Sequence, residues 1–165
     1  MQGKSAEAVE WLQLAHALDK AHHQAALNLS SAYILTQKFG QAVAILEQLS
    51  QREPDNPTIW QNLGAAYLGN PILATDEMQQ RAIAAFKQAL ALNPAAPHVA
   101  YNLGLVYRDR QEHEEAIHWF RRAVQADPHD VDARRLLQRL QAAVGETPLP
   151  ASETPLSVGD SPAIE

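Results

Sequence analysis

The strongest constraint on this chain is a stride. Tyr33, Tyr67 and Tyr107 are separated by 34 and 40 residues, and so are Asn28, Asn62 and Asn102. Ala8, Ala42, Ala82 and Ala116 are separated by 34, 40 and 34, and Pro54, Pro94 and Pro128 by 40 and 34. One period of 34 residues, with six residues added once between Tyr67 and Ala82, accounts for all four series. A period of this size marks a stacked-repeat architecture, in which a unit buries its apolar face only against its neighbours.

Each period reads as two helices. Ala26, Leu29 and Tyr33 share one helical face, a break falls around Gln37 to Gly40, and Ala42, Leu46 and Leu49 form a second face ended near Pro54. Trp60, Leu63, Gly64 and Tyr67 followed by Ala82, Phe86 and Ala89 repeat the pattern, as do Leu103, Gly104, Tyr107, Ala116, Phe120 and Ala123. Pro57 behind Asn56, and Pro97, stand at helix starts. Ser30, Gly64 and Gly104 are small, which predicts close approach of the two helices with aromatics filling the space beside them.

This pattern resembles the tetratricopeptide repeat family, a 34-residue helix–turn–helix with Trp, Leu-Gly and Tyr in its first helix and Ala, an aromatic, Ala and Pro in its second. The match is fullest at Trp60-Gln61-Asn62-Leu63-Gly64-Ala65-Ala66-Tyr67; Ala26 and Ala100 replace the tryptophan, and Ser30 replaces one glycine. The resemblance implies an all-α, right-handed α-solenoid. Its expected parts are a half repeat at 1–22, repeats at 23–56, 57–96 (with the insertion) and 97–130, a capping helix at 131–145, and a disordered acidic tail at 146–165. In the half repeat only a second helix is present, which leaves Val9, Trp11 and Leu12 half covered.

In that family the inner, concave face is lined mainly by first helices. Asn28, Asn62 and Asn102 each precede the leucine of a first helix, and an amide can satisfy both N–H and C=O of an extended peptide. The ladder resembles the one in the superhelical groove of the transferase that attaches N-acetylglucosamine to proteins; bonding within each repeat is the plainer reading. Further groove positions are Leu27, Ser31, Ile34 and Leu35, then Gln61, Ala65 and Leu68, then His98, Tyr101, Leu105 and Arg108, with Arg135 and Arg139 on the cap. This predicts an apolar start and a basic end to the groove. Seven of the nine arginines fall between 108 and 139, although seven acids share that segment. Arg108, Arg135 and Arg139 are candidates to receive an acidic side chain or a terminal carboxylate. Family members that clamp the chaperone carboxylate use Lys and Asn, Asn, then Lys and Arg. Here Leu27 and Ser31, Asn62, then His98 and Asn102 stand at those places, so no such clamp is expected.

Within the insertion, Gly69-Asn70-Pro71 should end a helix, and Thr75 or Asp76 should cap the next. Loop drift is one account of the extra residues; a partner-contacting lip exposing Ile72 and Leu73 is the other.

Enzyme chemistry finds no support. The chain has no cysteine, which removes thiolate metal sites and cysteine nucleophiles. His113 and His118 are five apart, whereas a zinc-protease helix needs four. No cofactor or metal is expected. A net charge of −6 argues against nucleic-acid binding, and no apolar run reaches the ~20 residues that span a bilayer, so a cytoplasmic location is expected. The tail holds Glu146, Glu153, Asp160 and Glu165, no base, and the sequence Glu-Thr-Pro-Leu twice, at 146–149 and 153–156. A solvated tail is the first expectation, and a tail lying in the groove with its acids facing the arginines the second. The expected function is a non-enzymatic module that binds a peptide segment of a partner protein. The alternatives are a scaffold that self-assembles as a homodimer through Val9, Trp11 and Leu12, and an accessory segment of a larger complex.

Overall fold

The computed structural model describes residue 13 and residues 23–70 and 73–145. The expected half repeat, with Val9, Trp11 and Leu12, and the tail lie outside the described residues, apart from Gln13.

Among residues 23–145, seven helices follow one another: α1 His23–Leu35, α2 Phe39–Arg52, α3 Pro57–Leu68, α4 Asp76–Leu92, α5 Pro97–Asp109, α6 His113–Ala126 and α7 Val131–Val144. They pair as α1 with α2, α3 with α4 and α5 with α6, and α7 closes the stack against α6. No strand occurs among the described residues. The result is an all-α solenoid.

Local chemistry sets the boundaries. Asn56 accepts from the Thr58 N–H at the start of α3, Thr75 from the Met78 N–H at the start of α4, and Asp130 from the Ala133 N–H at the start of α7. Thr75, not Asp76, is therefore the cap that ends the insertion. The short turns inside repeats 1 and 3 are built alike. Gln37 and Gln111 both take left-handed backbone (φ 59° and 62°), while Lys38 N–H reaches back to Tyr33 C=O and Glu112 N–H to Tyr107 C=O. Repeat 2 departs from this design: its first helix ends on Gly69 (φ 53°), and the six added residues carry the chain to a longer α4.

The small residues meet aromatic rings directly. A Cβ on Gly64 would stand 2.6 Å from the Phe86 ring, and one on Gly104 2.7 Å from Phe120. Leu46 occupies the equivalent place in repeat 1, and there Ser30 is tolerated, its hydroxyl donating to the Leu27 carbonyl at 2.7 Å. The aromatics thus press on the glycines; they do not merely fill space beside them.

A second exchange of bulk runs through the repeats. Trp60 on α3 lies close to Ala85 on α4. In the same register Ala26 is matched with Ile45, and Ala100 with Trp119. In sequence register, then, the bulky residue stands on the first helix in repeat 2 and on the second helix in repeats 1 and 3. Trp119 is 7% exposed, and its indole N–H finds no acceptor among the described residues.

The buried residues form two clusters. One joins α1, α2 and α3 with Ala85 of α4; the other joins the rest of α4 with α5, α6 and α7. Trp60 and Tyr67 border both.

Candidate protein-interaction face

The first helices α1, α3 and α5, with α7 closing the stack, carry the candidate residues. The three asparagines sit on α1, α3 and α5 at equivalent positions, but their surroundings differ. Asn28 is exposed and accepts a bond from Gln24 Nε2 at 3.0 Å. Asn62 is half-buried and donates through Nδ2 to Ser31 Oγ at 3.0 Å, across the seam between repeats 1 and 2; Ser31 in turn donates to the Leu27 carbonyl. At the next seam the place of Ser31 is taken by Ala65, which has no hydroxyl. The half-buried Asn102 makes no side-chain hydrogen bond to another described residue. Of the ladder, one amide is bound across a seam, one is bound within its own turn of helix, and one has no side-chain partner among the described residues.

Leu27 departs from its expected place in the groove. At 9% exposure it packs in the N-terminal core with Leu29 and Leu46. Gln61 is half-buried on α3, and His98 is exposed on the first turn of α5. Tyr101 stands edge-on to Phe120 with ring centroids 5.7 Å apart, and Tyr101 and Leu105 are half-buried against the C-terminal core. Burial, reinforced by Asp132 and Asp130, raises the Tyr101 phenol above its ordinary range.

The basic end is less basic than its residue count suggests. Arg108 donates through Nε and Nη2 to Asp109 Oδ1 at 2.9 and 2.6 Å, and Arg135 pairs with Asp132. Exposed Arg139 has no carboxylate partner among the described residues. No group of three or more His, Cys, Asp or Glu among the described residues could hold a metal ion. No helix among them is long and apolar enough to cross a membrane.

Sequence reasoning missed how the seams are held. Gln13 Nε2 donates to Tyr33 OH at 2.7 Å, Tyr67 OH donates to Glu47 Oε1 at 2.7 Å, and Lys87 Nζ lies 5.5 Å from the centre of the Tyr107 ring. All three pairs are 20 residues apart. The tyrosines of α3 and α5 therefore lean on the preceding second helices α2 and α4 through different chemistry, and Tyr33 of α1 meets Gln13 in the same register. Burial and the Glu47 carboxylate push the Tyr67 phenol up to about 12. Arg110, in the turn after α5, reaches back to Asp76 and Gln79 at the start of α4 and also holds Glu112 at 2.6 Å. The register of the tyrosines was readable beforehand; the reach of Arg110 depends on where the insertion delivers α4.

The insertion also opens a pocket of about 310 Å3 between the start of α2, the end of α3 and the start of α4. Leu73 of the expected lip is 74% exposed; Ile72 lies outside the described residues.

A stack of helix pairs repeated at one stride defines a helical-repeat protein. Tetratricopeptide repeat family models match residues 1–68 and 80–131, and the chain belongs to that family. Among solved structures it is similar to MamA of Desulfovibrio magneticus RS-1, with 20% identity, a TM-score of 0.74, and coverage of 88% of this chain and 78% of that one. It is also similar to the first TPR of Spaghetti (RPAP3) bound to an HSP90 peptide, with 20% identity, a TM-score of 0.67, and coverage of 78% and 97%. A peroxisomal targeting signal receptor from Kluyveromyces lactis is 28% identical over 96 residues, 58% of this chain. The chain aligns with only 16% of that receptor's length.

Proposed function

We propose that this protein is a non-enzymatic module that holds an extended segment of a partner protein along the row formed by α1, α3, α5 and α7. The observation that carries the reading is the Asn102 amide: half-buried, without a side-chain partner among the described residues, on the first-helix face, with Tyr101, Leu105 and Arg108 around it. An amide so placed offers a donor and an acceptor to peptide backbone whatever the partner's side chains. Tyr101 and Leu105 add apolar contact, and Arg139 offers a cation to an acidic residue toward the C-terminal end. The HSP90 peptide bound by the Spaghetti domain, and the role in the receptor's name, agree with a peptide-holding face in this family. A clamp for a chaperone carboxylate is not part of the proposal, because Leu27 is buried and Ser31 is engaged by Asn62 where that clamp needs free polar groups.

The test is capture of partners from the native lysate by the immobilised protein. Asn102→Ala should weaken capture by about 2- to 10-fold, the size of one hydrogen bond. Ala65→Ser should weaken it too, by supplying Asn102 with the acceptor that Asn62 already has. Capture unchanged in both variants, with helicity intact, overturns the reading.

A further inference from the structure

The exposed large apolar side chains are not scattered. Of five among the described residues, Leu35 (82% exposed), Leu73 (74%) and Met78 (48%) lie at the turns inside repeats 1 and 2. Met78 lines the pocket that the insertion opens, with Phe39 and Val43 as the rest of its apolar wall; Leu73 stands two residues in sequence before the lining residue Thr75. Among the charged groups at the mouth of the pocket, Glu77 pairs with Arg81 at 2.8 Å and Asp76 with Arg110. Lys38, next in sequence to the lining residue Phe39, has no carboxylate partner among the described residues, and its ammonium lies 5.9 Å from the centre of the Tyr33 ring. The site therefore asks for an apolar side chain with an acid a few residues away.

The chain itself contains that combination twice, as Glu-Thr-Pro-Leu at 146–149 and 153–156, in a segment of four acids and no base. Reach chooses between the copies. First helices of a solenoid run in the same sense, so α7 ends on the edge that carries the turns within repeats, and Gly145 leaves from there. Neighbouring helices pack ~8–10 Å apart, so the pocket between α2 and α4 lies about 20–30 Å from that point, two to three helix steps along the edge. An extended chain covers at most ~3.3–3.6 Å per residue. Leu149, four residues beyond Gly145, falls short at about 14 Å; Leu156, eleven residues beyond, reaches about 36 Å or more.

We propose that the Glu153-Thr154-Pro155-Leu156 segment docks in cis on this edge pocket, with Leu156 between Phe39, Val43 and Met78 and Glu153 facing Lys38. The site is separate from the first-helix row, so the proposal stands or falls independently of partner binding there.

The lack of cysteine makes the test direct. A nitroxide on Ser157→Cys in the full chain should cost the amide signals of Phe39, Gly40, Val43 and Met78 their intensity in NMR spectra. Leu156→Asp, and separately Met78→Glu at the exposed wall, should restore those signals without altering the rest of the spectrum. A mixture of spin-labelled unenriched chain with isotope-enriched unlabelled chain should show no loss. No selective loss overturns the proposal. So does loss centred on Asn102 and Arg108, which would place the segment on the first-helix row, or loss in the mixed sample, which would make the contact one between copies.

Discussion

The two seams of this solenoid repeat one geometry with different chemistry. At the first, α1 packs directly on α3, Asn62 is bonded to Ser31, and Tyr67 is bonded to Glu47. At the second, α3 and α5 meet far less, Ala65 gives Asn102 no hydroxyl and Asn102 has no side-chain partner among the described residues, and Lys87 sits over Tyr107 where a carboxylate stood before. The second seam has a contact that the first lacks: Arg110, in the turn after α5, grips Asp76 and Gln79. The stride of the backbone is thus preserved while part of the holding contact moves from the first-helix side to the turn. That shift leaves the first-helix row polar and open at the second seam, where a ligand would find unused hydrogen-bonding capacity.

The largest test of this contrast is Trp119→Ala. It should cost about 3–5 kcal/mol in denaturant unfolding, because a buried indole leaves a cavity. Trp60→Ala should cost less, since that ring is only half-buried. Adding Ala100→Trp to Trp119→Ala gives repeat 3 the arrangement of repeat 2 and should recover part of the loss. No recovery would mean that the two positions do not share one volume.

Gly104→Ala comes next. Its Cβ would press into the Phe120 ring, at a cost of about 1–3 kcal/mol by overpacking. Phe120→Leu in the same molecule should relieve the strain, since Ser30 and Leu46 coexist in repeat 1. A smaller loss, about 1 kcal/mol, is expected from Arg110→Ala, because this partly exposed ion network is screened by solvent. A double-mutant cycle with Asp76→Ala should show coupling between the two changes; simple additivity would remove the latch from the account.

The smallest effect is visible only against pH. The Tyr67 phenol titrates at about 12 in the folded chain instead of 10.0, so the folded state holds its proton more tightly. Its contribution is complete below pH 10, and it is lost as pH rises through about 12. Tyr67→Phe should remove that alkaline slope while costing about 0.5–1.5 kcal/mol at neutral pH. An unchanged slope would assign the alkaline sensitivity to another group.

Much of this was legible in the residues. The stride gave the helix pairs, the place of the insertion and the six added residues, because each repeat must present the same apolar stripe to its neighbours. The three asparagines were readable as a row. Their inequality was readable too, once Ser31, Ala65 and Leu105 are compared as one register, since only a hydroxyl can receive Asn62. Leu27 was misplaced because a leucine on the boundary between groove and core follows whichever neighbour covers it, and repeat periodicity does not say how deep it sits. The Arg110 contacts were out of reach for a different reason: loop length fixes how many residues are added, not the direction in which they return.

The traded tryptophans bear on how such a chain can be recombined. Each helix pair is matched for volume internally, so a crossover within a pair breaks the match. Joining α3 to α6 would bring two indoles to one slot, and joining α5 to α4 would leave Ala100 opposite Ala85 with a void between them. Shuffled descendants of this gene should therefore survive when their breakpoints fall between helix pairs, near Pro54 or Pro94, and fail when they fall inside one.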